Sequence, residues 1–311
     1  MSHFKRMLYG WEKSDAGIYE HCFNRFGGSV NMHPDVIRFF SSRTGHEATY
    51  FHKEKQGGYI AAYALLDHSQ IGVDQWKKFP LSYDEIMVPA AKNASMCFPE
   101  RTNKMSHFNK HNFINFNFSF ARKNKVCFVK ESYSVKTEKN RRNEYNRFIR
   151  AGGRCCDMNQ FSPEELADYY IFLFKSRFSD SITCYSRENL ITLIIAMKRM
   201  LFGYILFVGN EPCAMDLLFM AESEHIIYFD VPNGGVNMKY SDLSPGSLLM
   251  WKNIGAARDF CKQTGKEMRL SIGSLDKEWT YKLRWADAHS TGKIIFLIFL
   301  RNQAYFLQQS G

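Results

Sequence analysis

Apolar positions along the chain follow two rhythms, one of three to four residues and one of two, and the switches between them mark the elements. Gly27-Gly28-Ser29-Val30-Asn31 is a turn, and Pro34 opens a helix whose apolar side carries Val36, Ile37, Phe39 and Phe40. The Gly57-Gly58 turn leads into a strand over 59–66. Residues 112–120 alternate, with Phe at 113, 116, 118 and 120, and predict a strand; 126–129 predicts another. Residues 136–153 predict a charged helix stopped by Gly152-Gly153, with Tyr145, Phe148 and Ile149 inward and Glu138–Arg142 as an i,i+4 pair. Ser162, Pro163 and Glu165 supply the N-cap, N1 and N3 of a helix reaching about Phe178. Ser186-Arg187-Glu188-Asn189 begins another, through Ile191, Ile194, Ile195 and Met197. Strands over 204–208 and 213–220 flank the Asn210-Glu211-Pro212 turn, and 225–231 is a third strand. Ser244-Pro245-Gly246 starts a long helix ending at Gly265, followed by strands over 268–272 and 294–300. This order describes an α+β domain on a mostly antiparallel sheet with one crossover helix.

Composition narrows the class. The 311 residues are 45% apolar and 23% charged, which is globular, and a chain of this length corresponds to about two domains. Eight cysteines contain no CxxC pair, and Cys155 and Cys156 are adjacent, so reduced thiols in a reducing compartment are expected. The opening MSHFKRMLYGWEKSD has no apolar core or cleavage site, and no secretory signal is expected from it. The nearest approach to a membrane span, 190–208, is broken by Lys198 and Arg199.

The net charge of +10 is concentrated. Residues 1–100 carry 11 basic and 11 acidic side chains, 156–311 carry 16 and 17, and 101–155 carry 14 and 3. The whole excess therefore sits in the middle segment, where Lys136, Lys139, Arg141, Arg142, Arg147 and Arg150 share the expected helix. Such a helix is either a solvated face or a surface for phosphate-rich partners.

Candidate chemistry lies in four places. The first turn of the 244–265 helix, Ser244-Pro245-Gly246-Ser247, exposes unpaired N–H groups at a positive dipole end, which suits phosphate as well as an ordinary cap. Asp216 and Asp230 lie in apolar strand segments, where a carboxylate finds a partner or is pushed toward neutrality and becomes a general base for an amine. Asp230 is the first choice and Asp216 the second. Tyr83-Asp84-Glu85 is an acidic patch near a site or a loop cluster. His107 and His111 have a helical metal spacing with no carboxylate beside them, and no metal is expected. P-loop, Rossmann, GxSxG and HExxH motifs are absent from the sequence.

Several strings resemble the N-acetyltransferase-like acyltransferase superfamily, in its FemAB/CelD-like branch. They are the basic helix ending in Gly152-Gly153, Lys175-Ser176-Arg177-Phe178, Asn210 to Ala214, Tyr228-Phe229-Asp230, Leu243 to Leu249, and Tyr281-Lys282-Leu283-Arg284-Trp285. The superfamily's Q/R-x-x-G-x-G/A loop is missing. The strings SVNMHPDVIRFF, SYDEIMVP, KTEKNRRNEYNRF, YFDVPNGGV, SPGSLLMW and YKLRWAD are similar to the enterobacterial macrophage-inducible Mig family of antimicrobial-peptide-resistance proteins.

The resemblance implies two N-acetyltransferase-like domains, each a mostly antiparallel mixed sheet flanked by helices. Residues 1–135 would be a degenerate copy, 136–155 a basic junction helix and 156–311 the second domain. It further implies acyl or aminoacyl transfer to an amine or hydroxyl, with acyl-CoA or aminoacyl-tRNA as donor. Ser244 to Ser247, Tyr281 and Lys282 would then contact the donor, Lys282 at its phosphate or acyl group. The implied acceptor is a cationic peptide or an envelope component, and DNA is not an expected partner. The implied location is the inner membrane, peripheral, on the cytoplasmic side, with the basic helix on anionic lipid. The alternative is an inactive transferase fold that serves only as an anionic-membrane-surface binding module.

Overall fold

The structure is a computed structural model that describes residues 2–43, 45–117, 124–179 and 182–296. Its amino-terminal part runs α1 (Ser2–Leu8), β1 (Glu12–Ser14), α2 (Ala16–Phe26), α3 (Pro34–Arg43), β2 (Ala48–Lys55), β3 (Gly58–Leu66) and β4 (Gln70–Ile71). The four strands form one antiparallel sheet in sequence order. Pro34 opens α3, whose buried side is Val36, Ile37 and Phe40.

Residues 72–115 hold together largely without a ladder. Asn109, Asn112 and Asn115 recur every third residue and clamp the neighbouring chain through their side-chain amides. Asn109 accepts from Val88 N at 2.8 Å and donates to Val88 O at 3.0 Å. Asn112 donates to the carbonyls of Ala91 and Ala94, and Asn115 exchanges two bonds of 2.8 Å with Phe98. Buried backbone that lacks a sheet partner is thereby satisfied. The phenylalanine alternation over 112–120 thus overstates the strand: β5 is confined to Phe116–Asn117, Phe113 makes an isolated bridge to Met96, and 118–120 lie outside the described residues.

The second layer contains β6 (Lys125–Val129), α4 (Val135–Arg150), β7 (Gly153–Asp157), α5 (Pro163–Phe178), α6 (Arg187–Ala196), β8 (Tyr204–Val208), β9 (Glu211–Glu222), β10 (Ile226–Val236), α7 (Pro245–Thr264), β11 (Glu267–Ser274), β12 (Ala286–Ser290) and β13 (Lys293–Ile294). Seven strands order as β12-β6-β11-β10-β9-β8-β7. All pairs are antiparallel except β10–β11, which α7 connects as the crossover. The capping box forms at Ser162 and Glu165 and fixes the start of α5. Among the described residues no helix is long and apolar enough to cross a membrane.

Four expectations change. The boundary at 135 does not follow the sheets, because β6 inserts between β12 and β11 while β13 pairs back with β5. The basic helix α4 is not a free junction: Phe148 packs with Leu206, Cys213, Ala214, Leu248 and Leu249, while Ile149 is exposed. Glu138 does not pair with Arg142, since it accepts from Trp251 Nε1 at 2.9 Å and faces Arg258 at 3.8 Å. Of the closing strand expected over 294–300, Ile294 belongs to β13, while 297–300 lie outside the described residues.

Candidate functional site: a cleft at the open seam of the sheet

The parallel ladder between β10 and β11 runs from Ile226↔Glu267 to Asp230↔Ser271 and stops. Two local causes open it. On β10 the register against β9 shifts between Asp230 and Asn233, and Pro232 has no N–H to offer. On β11 the next free groups are already taken: Ser274 N donates to Asp84 Oδ2 at 2.8 Å, and Ser274 O accepts from Lys282 Nζ at 2.7 Å. A cleft of about 730 Å³ fills the wedge. Val231, Asn233 and Gly234 form one wall and Ile272 and Ser274 the other; α5 contributes Phe174 and Arg177, α7 contributes Met250, and Asp84 enters from the amino-terminal part.

Asp216 lines this cleft from β9, opposite Gly234. A Cβ at Gly234 would lie 1.9 Å from Asp216 Oδ1, so glycine is what leaves room for the carboxylate. Burial pushes Asp216 up to about 6, with the Arg177 guanidinium opposing the shift. Arg177 is held in turn by Gly234 O at 3.2 Å and by the Tyr281 hydroxyl oxygen at 3.3 Å. Tyr281 and Lys282 both line the cleft, from the short helical segment Lys277–Arg284. Lys282 is 8% exposed, and its ammonium sits 4.7 Å from the Trp279 ring centroid. Burial lowers its proton affinity, and Asp84, Cys127, Asp276 and Asp230 pull it back up.

Asp230 is placed elsewhere. It is 3% exposed, does not line the cleft, and has its proton affinity raised well above the usual carboxylate range by burial and by its neighbours Asp84 and Glu85. Glu85, also buried, accepts from the Tyr228 hydroxyl at 2.6 Å; burial pushes it up to about 7. The patch Tyr83-Asp84-Glu85 is therefore packed into the seam.

The first turn of α7 is also apart from the cleft. Ser244 is exposed, adopts a left-handed conformation (φ 51°) and makes no side-chain cap bond; Gly246 packs against Val236. The 3-10 segment Met238–Leu243 separates β10 from α7. Ser244, Pro245, Gly246 and Ser247 do not line the cleft. His107 lies in a 3-10 turn and stacks on His289 at 4.1 Å.

On α4, Lys136, Lys139, Arg142 and Arg150 are exposed, and among the described residues none has a carboxylate within 4.0 Å. Arg147 donates to Asp242 O at 3.0 Å. Arg141 is turned inward, pairs with Glu144 at 2.6 Å and lies over the Trp285 ring.

Arg177, Asn233 and Gly234 also line the cleft, with no role expected for them from the sequence pattern. The available signal was Asn233-Gly234-Gly235 inside an otherwise apolar strand, because glycine in a strand interior marks close approach.

The mixed sheet, with one parallel seam, a crossover helix and an open wedge, is the class of fold seen in FemX. The crystal structure of FemX superposes with a TM-score of 0.57, covering 92% of this chain and 97% of FemX at 9% identity. L-PGS from Bacillus licheniformis gives 0.48 at 12% identity, covering 91% of each chain. A tandem GNAT protein from the clavulanic acid biosynthesis pathway gives 0.36 at 8% identity, covering 91% of this chain and 95% of its own. The fold likeness rests on FemX. The chain belongs to the Mig-14 family, whose sequence profile matches residues 33–294. No curated protein matches it.

Proposed function

We propose that this protein transfers an acyl or aminoacyl group to an amine or hydroxyl acceptor in the β10–β11 cleft, and that the transfer serves resistance to cationic antimicrobial peptides. The observation that carries the reading is the open parallel seam, with a proton-accepting carboxylate on one side and a buried lysine on the other. Asp216, at about 6, is ionised at neutral pH yet more basic than an ordinary aspartate, which suits a general base. The acceptor's lone pair attacks the acyl carbonyl and its proton passes to Asp216. The carbonyl oxygen takes up negative charge and then returns it as the donor's leaving group departs. The Lys282 ammonium, fixed on Ser274 O, supplies positive charge to that oxygen or to a donor phosphate. Asp230 is enclosed and does not line the cleft, so the role passes to Asp216.

The donor is acyl-CoA or aminoacyl-tRNA, and the acceptor is the cationic peptide or an envelope component. Calorimetric titration with CoA, acetyl-CoA and an aminoacyl-tRNA, at two salt concentrations, tests the reading on the wild type and on Lys282→Ala. Saturable binding of one donor, weakened by the substitution, is expected; failure of every donor to bind would overturn it.

The unpaired cations of α4 favour a second reading, a binding module on an anionic membrane surface without catalysis, peripheral at the inner membrane on its cytoplasmic side. Each basic residue near such a surface adds about 1 kcal/mol. Salt-sensitive binding to anionic vesicles, together with no donor binding, would select it.

A further inference from the structure

The tripeptide Tyr83-Asp84-Glu85 lies outside the seven-stranded sheet, yet its middle residue sits at the point where the sheet opens. Asp84 Oδ2 accepts from Ser274 N at 2.8 Å, across 190 residues of sequence. The adjacent Ser274 O accepts from Lys282 Nζ. These are the two backbone groups of the residue at which β11 ends, three residues past the last rung of its parallel ladder. Gly273, at φ +79°, makes room for both partners: a Cβ there would lie 3.0 Å from Asp84 Oδ2 and 3.4 Å from Lys282 Nζ. The loop that carries Asp84 is itself anchored. Asn31 Nδ2 donates to Glu85 O at 2.8 Å, and Ser82 Oγ donates to Asp84 Oδ2 at 3.3 Å. An anchored carboxylate that caps a free strand edge, with a buried ammonium fixed to the same residue, is a wedge.

We propose that Asp84 is a positioning residue of the cleft, which caps the Ser274 N–H so that the β10–β11 seam stays open and which holds the Lys282 ammonium in place beside it. The amino-terminal part is thus a component of the site. Its consequence for catalysis rests on the transfer reading; its effects on Ser274 and Lys282 do not.

The test uses the full chain with Asp84→Asn and Asp84→Ala. Asparagine keeps an oxygen acceptor and loses the charge; alanine loses both. Hydrogen exchange at the Ser274 amide reads the cap: exchange about tenfold faster in Asp84→Ala, and near wild type in Asp84→Asn, is expected. Acetic anhydride labelling against pH, followed by mass spectrometry of the peptide carrying Lys282, reads the ammonium. The groups facing Lys282 are Asp84, Cys127, Asp230 and Asp276, and Asp84 is the strongest of those that raise its proton affinity. Its labelling midpoint should therefore move to lower pH in both variants. An unmoved Lys282 midpoint in Asp84→Asn, or wild-type protection of Ser274 in Asp84→Ala, would overturn the proposal. If Asp84→Ala does not fold, the Lys282 readout in Asp84→Asn decides alone. If no donor binds even the wild type, the transfer reading fails and both readouts still stand.

Discussion

Adding one methyl group at each of two glycines should move stability in opposite directions. At Gly235 a Cβ would lie 2.4 Å from Leu173 C and 2.5 Å from Phe174 N, both backbone atoms of α5. Carbon atoms pack comfortably at roughly 3.5–4.0 Å, so α5 must retreat by about 1 Å along its buried contacts Tyr170, Leu173 and Phe174. Overpacking costs ~1–3 kcal/mol, and backbone obstacles place Gly235→Ala near the upper end. At ~2.1 cal/mol/K per residue, the unfolding entropy of a chain this long is about 0.65 kcal/mol/K, so the melting temperature should fall by about 5 °C. Gly255 lies inside α7, and an added Cβ meets nothing within 4 Å. There alanine gains ~0.5–1 kcal/mol of helix propensity, and the melting temperature should rise by about 1 °C. Differential scanning calorimetry of both variants beside the wild type measures the pair. A Gly235→Ala melting point within a degree of wild type would refute the packing of α5 on β10, and a Gly255→Ala melting point below wild type would refute the open space beside Gly255 on α7.

Three further outcomes follow from the site. Glu85 has a folded proton affinity raised from 4.5 to about 7, so its contribution is fully present below 4.5 and is lost as pH rises through 7; Glu85→Gln should flatten urea-measured stability across that window by roughly 3 kcal/mol. Asp216→Asn should lower the transfer rate by about 10²–10⁴-fold with little change in melting temperature, and the wild-type rate should climb as pH rises through about 6; a full-rate variant would remove Asp216 as the base. Reversing Lys139, Arg142 and Arg150 to glutamate should abolish salt-sensitive binding to anionic vesicles while leaving far-ultraviolet circular dichroism unchanged, because all three are exposed and unpaired among the described residues.

What could be read from the sequence was local. The α5 and α7 starts, the β8–β9 hairpin and the crossover order follow from caps, turns and periodicity within a few residues of one another. Where a second segment decides, the pattern misled. The 112–120 run looks like a strand because phenylalanines alternate, but asparagines at a period of three bind the chain segment 88–98 and keep the backbone irregular. Asp216 and Asp230 look alike in sequence. A one-residue register shift separates them, setting Asp216 opposite Gly234 and Asp230 opposite Phe219, and alternation alone does not reveal such a shift. The surplus of positive charge was legible as a quantity; that Arg141 turns inward while Lys139 and Arg142 face solvent depends on Glu144 and Trp285.

The domain division expected at 135 also depends on contacts between distant segments. Strands are exchanged in both directions: β6 precedes the expected boundary yet pairs with both β11 and β12, and β13 follows them yet pairs with β5. Removing residues before 135 would therefore strip the strand next to the edge, β6, from the seven-stranded sheet and take away Asp84, Glu85 and the asparagine clamps with it. The exposed edge of β11 would then present the free Ser274 N–H to β10, and the seam could close over the cleft. Under the role proposed for Asp84, one segment caps the strand end that the other leaves free. The chemistry of the cleft is in this sense a property of the exchanged-strand fold and not of its second half.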